Sequence, residues 1–579
     1  MFGKLYNSKL ACQHRYLISK KVGLKPCLLL TLMLAFSTVS LSYGTLKANA
    51  QTAPQSLRSD VRIRNVMNTL SNSPSVRIAK DPRDNTLYYL KLNGEIYRVN
   101  LSSSSSTLVY SSKDHSLTDT QGMAIGSNGT IYLVGNADVG NSQTKATIVK
   151  GVINSGNKER VWSILAQSAE YPKSKTAFDH RFNGVAVSQK GDFIYVNSGS
   201  RTDHGEVQSA GGLYPNTREV GLTACIFRLP TNGQNIFLPN DRSALKAAGY
   251  IFVEGIRNTF DMAFAPNGDL LGTENGPDRD MSEELNWLRP QSHYGFPWRI
   301  GGANNPQQFS NYNPAQDLLL NSKFIAVKSG YFYNDPTFPP QPKINFTEPI
   351  VNLGPDADKF RDPQDGKIKD ASDLKQTLST FSSHRSPLGL VFDTQQVMSP
   401  EFQGDGFMLS FTQGDPTGAT LTGPFNDASQ DMLHLDLNKI GNTNYQVRTK
   451  RIIAGLSNPI DAEIIGNKIY VIEFGKNQGI WEVTMPTANN TNKAVVVYEN
   501  AGFTGRSQAF RVGVYRADRG NLNIIGNDTI SSLRVPEGLS VTLSQNETGG
   551  LSRKYNSGDY SYVGDDLDNQ TSLLKVEAR

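Results

Sequence analysis

Apolar residues in this chain fall in short runs separated by Gly, Asn and Asp. Runs of that length bounded by turn residues predict β-strands. The clearest case is the apolar run Phe260 to Phe264, the turn Pro266-Asn267-Gly268-Asp269 and the second run Leu270 to Thr273. Asn-Gly supplies the positive φ that a tight turn needs, so this stretch predicts a hairpin. The same order recurs five more times, opening at Ser75, Gln121, Asn183, Leu388 and Ile460. Each copy begins apolar-Gly/Asp-apolar-small-apolar, turns, runs again and adds a further strand such as Ile226–Leu229 or Met432–Leu435. Six degenerate units of several short strands predict an all-β protein with radial repetition, a six-bladed β-propeller over residues 60–486. A closed ring leaves only short strand edges, whereas one flat sheet of this size would leave long sticky ones.

The 579 residues exceed one ordinary core, so a second unit is expected. A polar linker at 487–492 separates the units from a distinct segment, 493–579. Residues 51 to about 72 read as a loose polar lead-in, and 302 to 382 as a long insertion that would decorate a ligand face. Residues 1–50 read as a signal peptide. Lys4, Lys9, Arg15, Lys20, Lys21 and Lys25 form a basic region, an apolar run follows from Cys27, and Ala48-Asn49-Ala50 is a cleavage site. The expectation is a periplasmic or secreted protein beginning at Gln51. No later segment is long and apolar enough to span a bilayer. Two of the three cysteines lie in the leader, leaving Cys225 as a buried small hydrophobe without a disulfide. The net charge of +5 includes the basic leader and does not point to nucleic acid.

In the last segment, Tyr498, Phe503 and Gly505 are followed by Asn527-Asp528 and Ser531-Ser532. A weaker copy has Ser544, Thr548 and Gly550, then Asp568-Asn569 and Ser572-Leu573. This duplicated pattern resembles a βγ-crystallin domain, a small Greek-key sandwich. The resemblance implies crossed calcium sites using Asn527, Asp528, Ser531, Asp568, Asn569 and Ser572. Clustered amide, carboxylate and hydroxyl oxygens suit a hard cation, while Asx-turn and Ser capping without a metal is the alternative.

The hairpin at 260–273 has polar residues at both ends: Arg257-Asn258 before it and Glu274-Asn275-Gly276-Pro277 after it. A guanidinium, an amide and main-chain carbonyls suit an anionic, oxygen-rich ligand held with a metal. The competing reading is that Arg257 and Asn258 merely tie down a loop. With Glu283, Asn286 and Tyr294-Gly-Phe-Pro297, this stretch resembles the glucose/sorbosone dehydrogenase family, propellers that oxidise sugars with pyrroloquinoline quinone (PQQ) and calcium. The resemblance implies that Arg257, Asn258 and Asn275 contact the quinone and that the carbonyls of Gly276 and Pro277 hold its calcium. It implies that His180 is the general base, with Asp179 orienting it or a substrate hydroxyl, and that Gln121 lies at the sugar. The family's late-blade lysine and paired arginines have no counterpart at Phe411–Gln413 or Ser457–Asp461. His384, Arg385 and Lys476 are the candidate replacements.

The expected function is therefore oxidation of a carbohydrate or similar alcohol, with an electron acceptor that the residues do not specify. Two alternatives stay open. One is a non-catalytic propeller binding glycans or proteins. The other is a calcium-dependent lactone hydrolase using Asp261 and Asp461, which open blade strands toward the central channel.

Overall fold

A computed structural model describes residues 53–154, 156, 159–413, 424–487 and 494–578. The leader expected at 1–50 falls outside them, as does nearly all of the linker expected at 487–492.

Six mainly antiparallel sheets form the blades of the large domain, with Ile236–Leu238 and Val351–Pro355 added as parallel strands to the second and fifth. Their first strands are Ser75–Lys80, Thr120–Ile125, Phe182–Val187, Thr259–Phe264, Pro387–Phe392 and Pro459–Ile465. Each packs beside the next, and the last returns to the first, so the ring is closed. The hairpin is present as read: Thr259–Phe264 pairs antiparallel with Leu270–Glu274.

Every first strand has a register irregularity near its start. Two residues after the first paired position stand Arg77, Gly122, Gly184, Asp261, Gly389 and Asp461. This explains the Gly/Asp of the repeat. A Cβ at Gly122 would lie 2.2 Å from the Asn183 carbonyl oxygen, and one at Gly184 would lie 2.4 Å from that of Phe260. Neighbouring first strands thus approach too closely for a side chain where glycine stands. The remaining three positions carry charge. The Arg77 guanidinium lies 3.5 Å from Asp261 and 3.9 Å from Asp461, and it donates to the carbonyls of Gln121 and Phe260.

The expectation of a loose lead-in is corrected. Arg62–Asn68 is the outer strand of the sixth blade, paired antiparallel with Gly479–Thr484, and Gln55–Ser56 adds to the fifth. Val66 and Met67 enter the core with Ile472 and Ile480. The apolar signal is weak because only these two of the strand's residues are buried, among Arg62, Arg64, Asn65 and Asn68.

The C-terminal segment forms two four-stranded sheets. The third strand of each half, Gly513–Arg516 and Gly558–Tyr560, pairs in the sheet of the other half, which is the Greek-key arrangement. Val497, Phe510, Leu533, Val541, Leu543 and Leu574 lie in its core. Among the described residues no helix is long and apolar enough to cross a membrane.

Candidate functional site

The segments that enter the third, fourth and fifth first strands and those that leave the adjacent second strands share one rim of the ring. This brings His180, Arg257-Asn258 and Asn275-Gly276-Pro277 together. A Cβ on Gly199 would lie 2.5 Å from the His180 Cβ, 2.8 Å from the Asn258 Oδ1 and 3.3 Å from the Arg257 carbonyl. Gly199 is the clearance that lets these groups converge.

His180 is buried, and its Nδ1 lies 3.0 Å from the main-chain oxygen of Ser200. A carbonyl only accepts, so Nδ1 carries the hydrogen, and in the neutral ring Nε2 is the basic nitrogen. The Ser200 amide in turn donates to the Arg257 carbonyl at 2.6 Å. The orienting group is therefore Ser200. Asp179 does not fill that role: its carboxylate accepts from the amides of Ser174 (2.6 Å) and Lys175 (3.1 Å). Burial raises its pKa against those hydrogen bonds.

Arg257 is buried and committed to protein partners. Its Nε donates to the Asp203 carbonyl (2.6 Å), one terminal nitrogen to the Asn275 carbonyl (3.0 Å) and the other to Asp203 Oδ1 (3.0 Å). It bridges the loop after the third blade's second strand to the Asn275-Gly276-Pro277 turn, so the loop-tying reading holds for its side chain. The amide of Asn275 reaches the carbonyl of Pro387 at 3.2 Å. No described group donates to the carbonyls of Gly276 or Pro277. Gln121 is buried within the second blade's first strand, where its carbonyl accepts from Arg77.

Two of the three candidate replacement cations, Arg385 and His384, are spent. Arg385, fully buried, pairs with Asp427 (2.8 Å) and Asp431 (3.0 Å). His384 meets Asp280 at 2.7 Å and stacks on Phe324. Lys476 is exposed beyond the strand Lys468–Glu473. Acidic groups are abundant on the rim. Burial raises Glu283 to about 7; it accepts from the amides of Gly276 and Ser386. Glu274 is raised well above the carboxylate range by burial and by the charge of Glu284.

Reasoning from the sequence missed a cluster at Asp203-His204-Gly205-Glu206. Burial pulls the His204 pKa down, but Glu206 and Asp203 outweigh it and hold the ring above its ordinary value. Phe332 of the long insertion stacks on His204 with centroids 3.8 Å apart, and Gln307 meets its Nε2 at 3.2 Å. Arg361–Asp280 (2.5 Å) and Arg279–Asp317 (2.8 Å) clamp the insertion further. The run of two acids around a histidine was the available signal, but no sequence spacing ties it to Phe332.

In the C-terminal domain the two Asx-Ser motifs do meet. Ser572 Oγ donates to Asp528 Oδ1 at 3.2 Å, and Ser531 Oγ contacts Asn569 Oδ1 at 3.5 Å, so each motif supplies hydroxyls to the other. Asn527 donates to Asp528 Oδ2 at 2.9 Å. Asp568 Oδ1 is buried without a protein partner. Among the described residues no three His, Cys, Asp or Glu side chains form a metal-ligating group.

The fold and site define an all-β protein in two parts, a six-bladed propeller with a polar rim site and a Greek-key sandwich. Residues 83–342 match the family described as Glucose / Sorbosone dehydrogenase, so the large domain resembles that family. The curated "Quinoprotein glucose dehydrogenase B" of Acinetobacter calcoaceticus is 28% identical over 145 residues, 19% of this chain and 29% of the relative's length. The match thus spans less than a third of that relative. The soluble aldose sugar dehydrogenase structure from Escherichia coli, in the apo-form, is 13% identical and covers 73% of this chain and 99% of its own, with a TM-score of 0.44. A βγ-crystallin domain from Clostridium beijerinckii, a double mutant, is 35% identical and covers 15% of this chain and 97% of its own, with a TM-score of 0.14.

Proposed function

We propose that this protein is an oxidoreductase that oxidises a sugar or sugar-like alcohol with PQQ and calcium at the rim site, His180 serving as general base. The observation that carries the reading is the convergence of His180, Asn258 and the Gly276-Pro277 turn within the segment that matches the dehydrogenase family. Asn258 uses its Oδ1 within the protein, accepting at 2.8 Å from Asn183, which leaves its NH2 for an acceptor such as a quinone oxygen. The carbonyls of Gly276 and Pro277 are uncommitted oxygen ligands of the kind calcium takes. These groups fit the quinone and cation end of the cofactor. Bound there, the cofactor would supply a two-electron acceptor. The chain's own part is to place the substrate hydroxyl against Nε2 of His180, whose tautomer Ser200 sets, and to take up the hydroxyl proton.

The spent cations favour a second reading, a propeller that binds a glycan or protein without chemistry. A hydrolase using Asp261 and Asp461 fits less well. Arg77 already supplies the counter-charge between those carboxylates, and both carboxylates accept main-chain amides. In the C-terminal domain the crossed motifs and the unpaired Asp568 oxygen support calcium binding. The basic and apolar N-terminal pattern supports export to the periplasm or medium, which N-terminal sequencing of the mature protein would test at Gln51.

The test is reconstitution. Purified protein with PQQ and calcium should develop a quinone absorption band and oxidise members of an aldose and alcohol panel in a dye-linked assay. Protein that takes up no PQQ would refute the dehydrogenase reading and leave the binding scaffold.

A further inference from the structure

We infer that Asn183 and Asn197 act as positioning residues that lock Asn258 into one orientation, so that it meets its ligand only as a hydrogen-bond donor and the ligand atom there is an acceptor. The identification of that ligand as PQQ rests on the proposed function; the lock itself does not.

The Gly184 amide can only donate, and it donates to an Asn183 side-chain atom at 2.5 Å, which must therefore be the oxygen. The NH2 of Asn183 then points the other way, 2.8 Å from the side chain of Asn258 and 3.4 Å from the His180 carbonyl. The Asn258 atom facing it has to accept, so it is Oδ1. Asn197, facing the same Asn183 oxygen, gives the same answer. Its NH2 divides between Asn183 Oδ1 at 2.7 Å and Asn258 Oδ1 at 3.2 Å. Asn197 is fully buried and its own oxygen is left without a partner. That unmade bond follows from aiming both N–H groups at two oxygens. With two donors on its Oδ1, Asn258 cannot flip without setting NH2 against NH2 twice. The outward atom is nitrogen.

Sequence places these residues on adjacent blades. Asn183 and Asn197 sit on paired strands of the third, and Asn258 enters the fourth. The lock therefore also ties the His180 segment to the Arg257-Asn258 segment, through the His180 carbonyl.

Aspartate substitutions in the full-length protein separate the possibilities. All three bury a new carboxylate in the same place, so the burial cost is common to them. Asn258→Asp keeps the inward acceptor and both hydrogen bonds to it. Asn183→Asp and Asn197→Asp remove inward donors and set oxygen against oxygen. Thermal melting without cofactor should therefore place Asn258→Asp highest of the three and the other two several degrees below it. In an absorbance titration with PQQ and calcium, Asn258→Asp should bind at least about tenfold more weakly, because the outward donor has become an acceptor. Equal destabilisation by all three, or a larger loss for Asn258→Asp, would overturn the lock. Undiminished PQQ binding by Asn258→Asp would overturn the donor assignment. If wild type takes up no PQQ, the proposed function falls alone, and the melting order still decides the orientation.

Discussion

Replacing Arg257 by alanine separates two roles that its position allows. A ligand-binding arginine would leave the ligand-free fold nearly untouched when truncated, as surface substitutions do, within about 0.5 kcal/mol. The structure gives a different expectation. Arg257 is 3% exposed, and its three side-chain hydrogen bonds all end on protein groups: the Asp203 carbonyl, the Asp203 carboxylate and the Asn275 carbonyl. Truncation removes one of the two cations on a fully buried carboxylate, which keeps His204 and the Asp278 amide, and leaves the carbonyls of Asp203 and Asn275 facing a cavity. Breaking a buried pair by removing one partner costs about 3–5 kcal/mol. The assay is denaturant unfolding of the ligand-free protein followed by tryptophan fluorescence. The midpoint of Arg257→Ala should fall by the equivalent of roughly that amount, and Arg257→Lys should recover only part of it, because an ammonium cannot bridge three acceptors with one planar fork. Unfolding of Arg257→Ala within about 0.5 kcal/mol of wild type would refute the clamp and return the guanidinium to the ligand.

Three further outcomes are expected. Glu283 has a folded pKa of about 7, above its ordinary value, so the fold binds its proton more tightly than the unfolded chain. That contribution is fully present below about pH 4.5 and is lost as pH rises toward 7, so stability relative to Glu283→Gln should move against wild type by about 3 kcal/mol across that window; a pH-independent difference would contradict it. Calcium at about 100 times its dissociation constant should stabilise the C-terminal domain by roughly 2.7 kcal/mol, seen as a melting shift relative to chelator, and Asp528→Ala with Asp568→Ala should abolish the shift. Val66→Asp, a buried charge in the ring-closing strand, should destabilise the propeller by about 3 kcal/mol or more in thermal unfolding, whereas a truly loose lead-in would tolerate it.

The fold was legible where the chain repeats a local rule. The hairpin at Thr259–Glu274 needed only an Asn-Gly turn between two apolar runs, and the glycine in three of the openings reflects a close approach between neighbouring first strands. Arg62–Asn68 was not legible. It pairs with a strand more than 400 residues away, at the sheet's outer edge, where Ile63, Val66 and Met67 are the apolar residues and only the last two are buried. Strand order at a closure is a property of the ring, which a local window does not contain.

The site was legible as a set of residues but not as a set of bonds. The sequence places Asp179 beside His180, and adjacency suggests that one orients the other; the chain instead turns Asp179 onto the amides of Ser174 and Lys175 and brings the Ser200 carbonyl, twenty residues on, to Nδ1. Charge shows the same gap more sharply. Counted along the chain, Arg257, His384 and Arg385 look available to an anionic ligand. In the fold they are paired with Asp203, Asp280, and Asp427 with Asp431. A cation recruits a ligand only with the charge its neighbours leave over, and those neighbours come from segments that the linear spacing does not connect. Asn258 is the instructive exception. Its donor is left over because Asn183 and Asn197 consume its oxygen, so what this rim can offer a quinone is set less by its arginines than by which end of one buried amide its neighbours have already used.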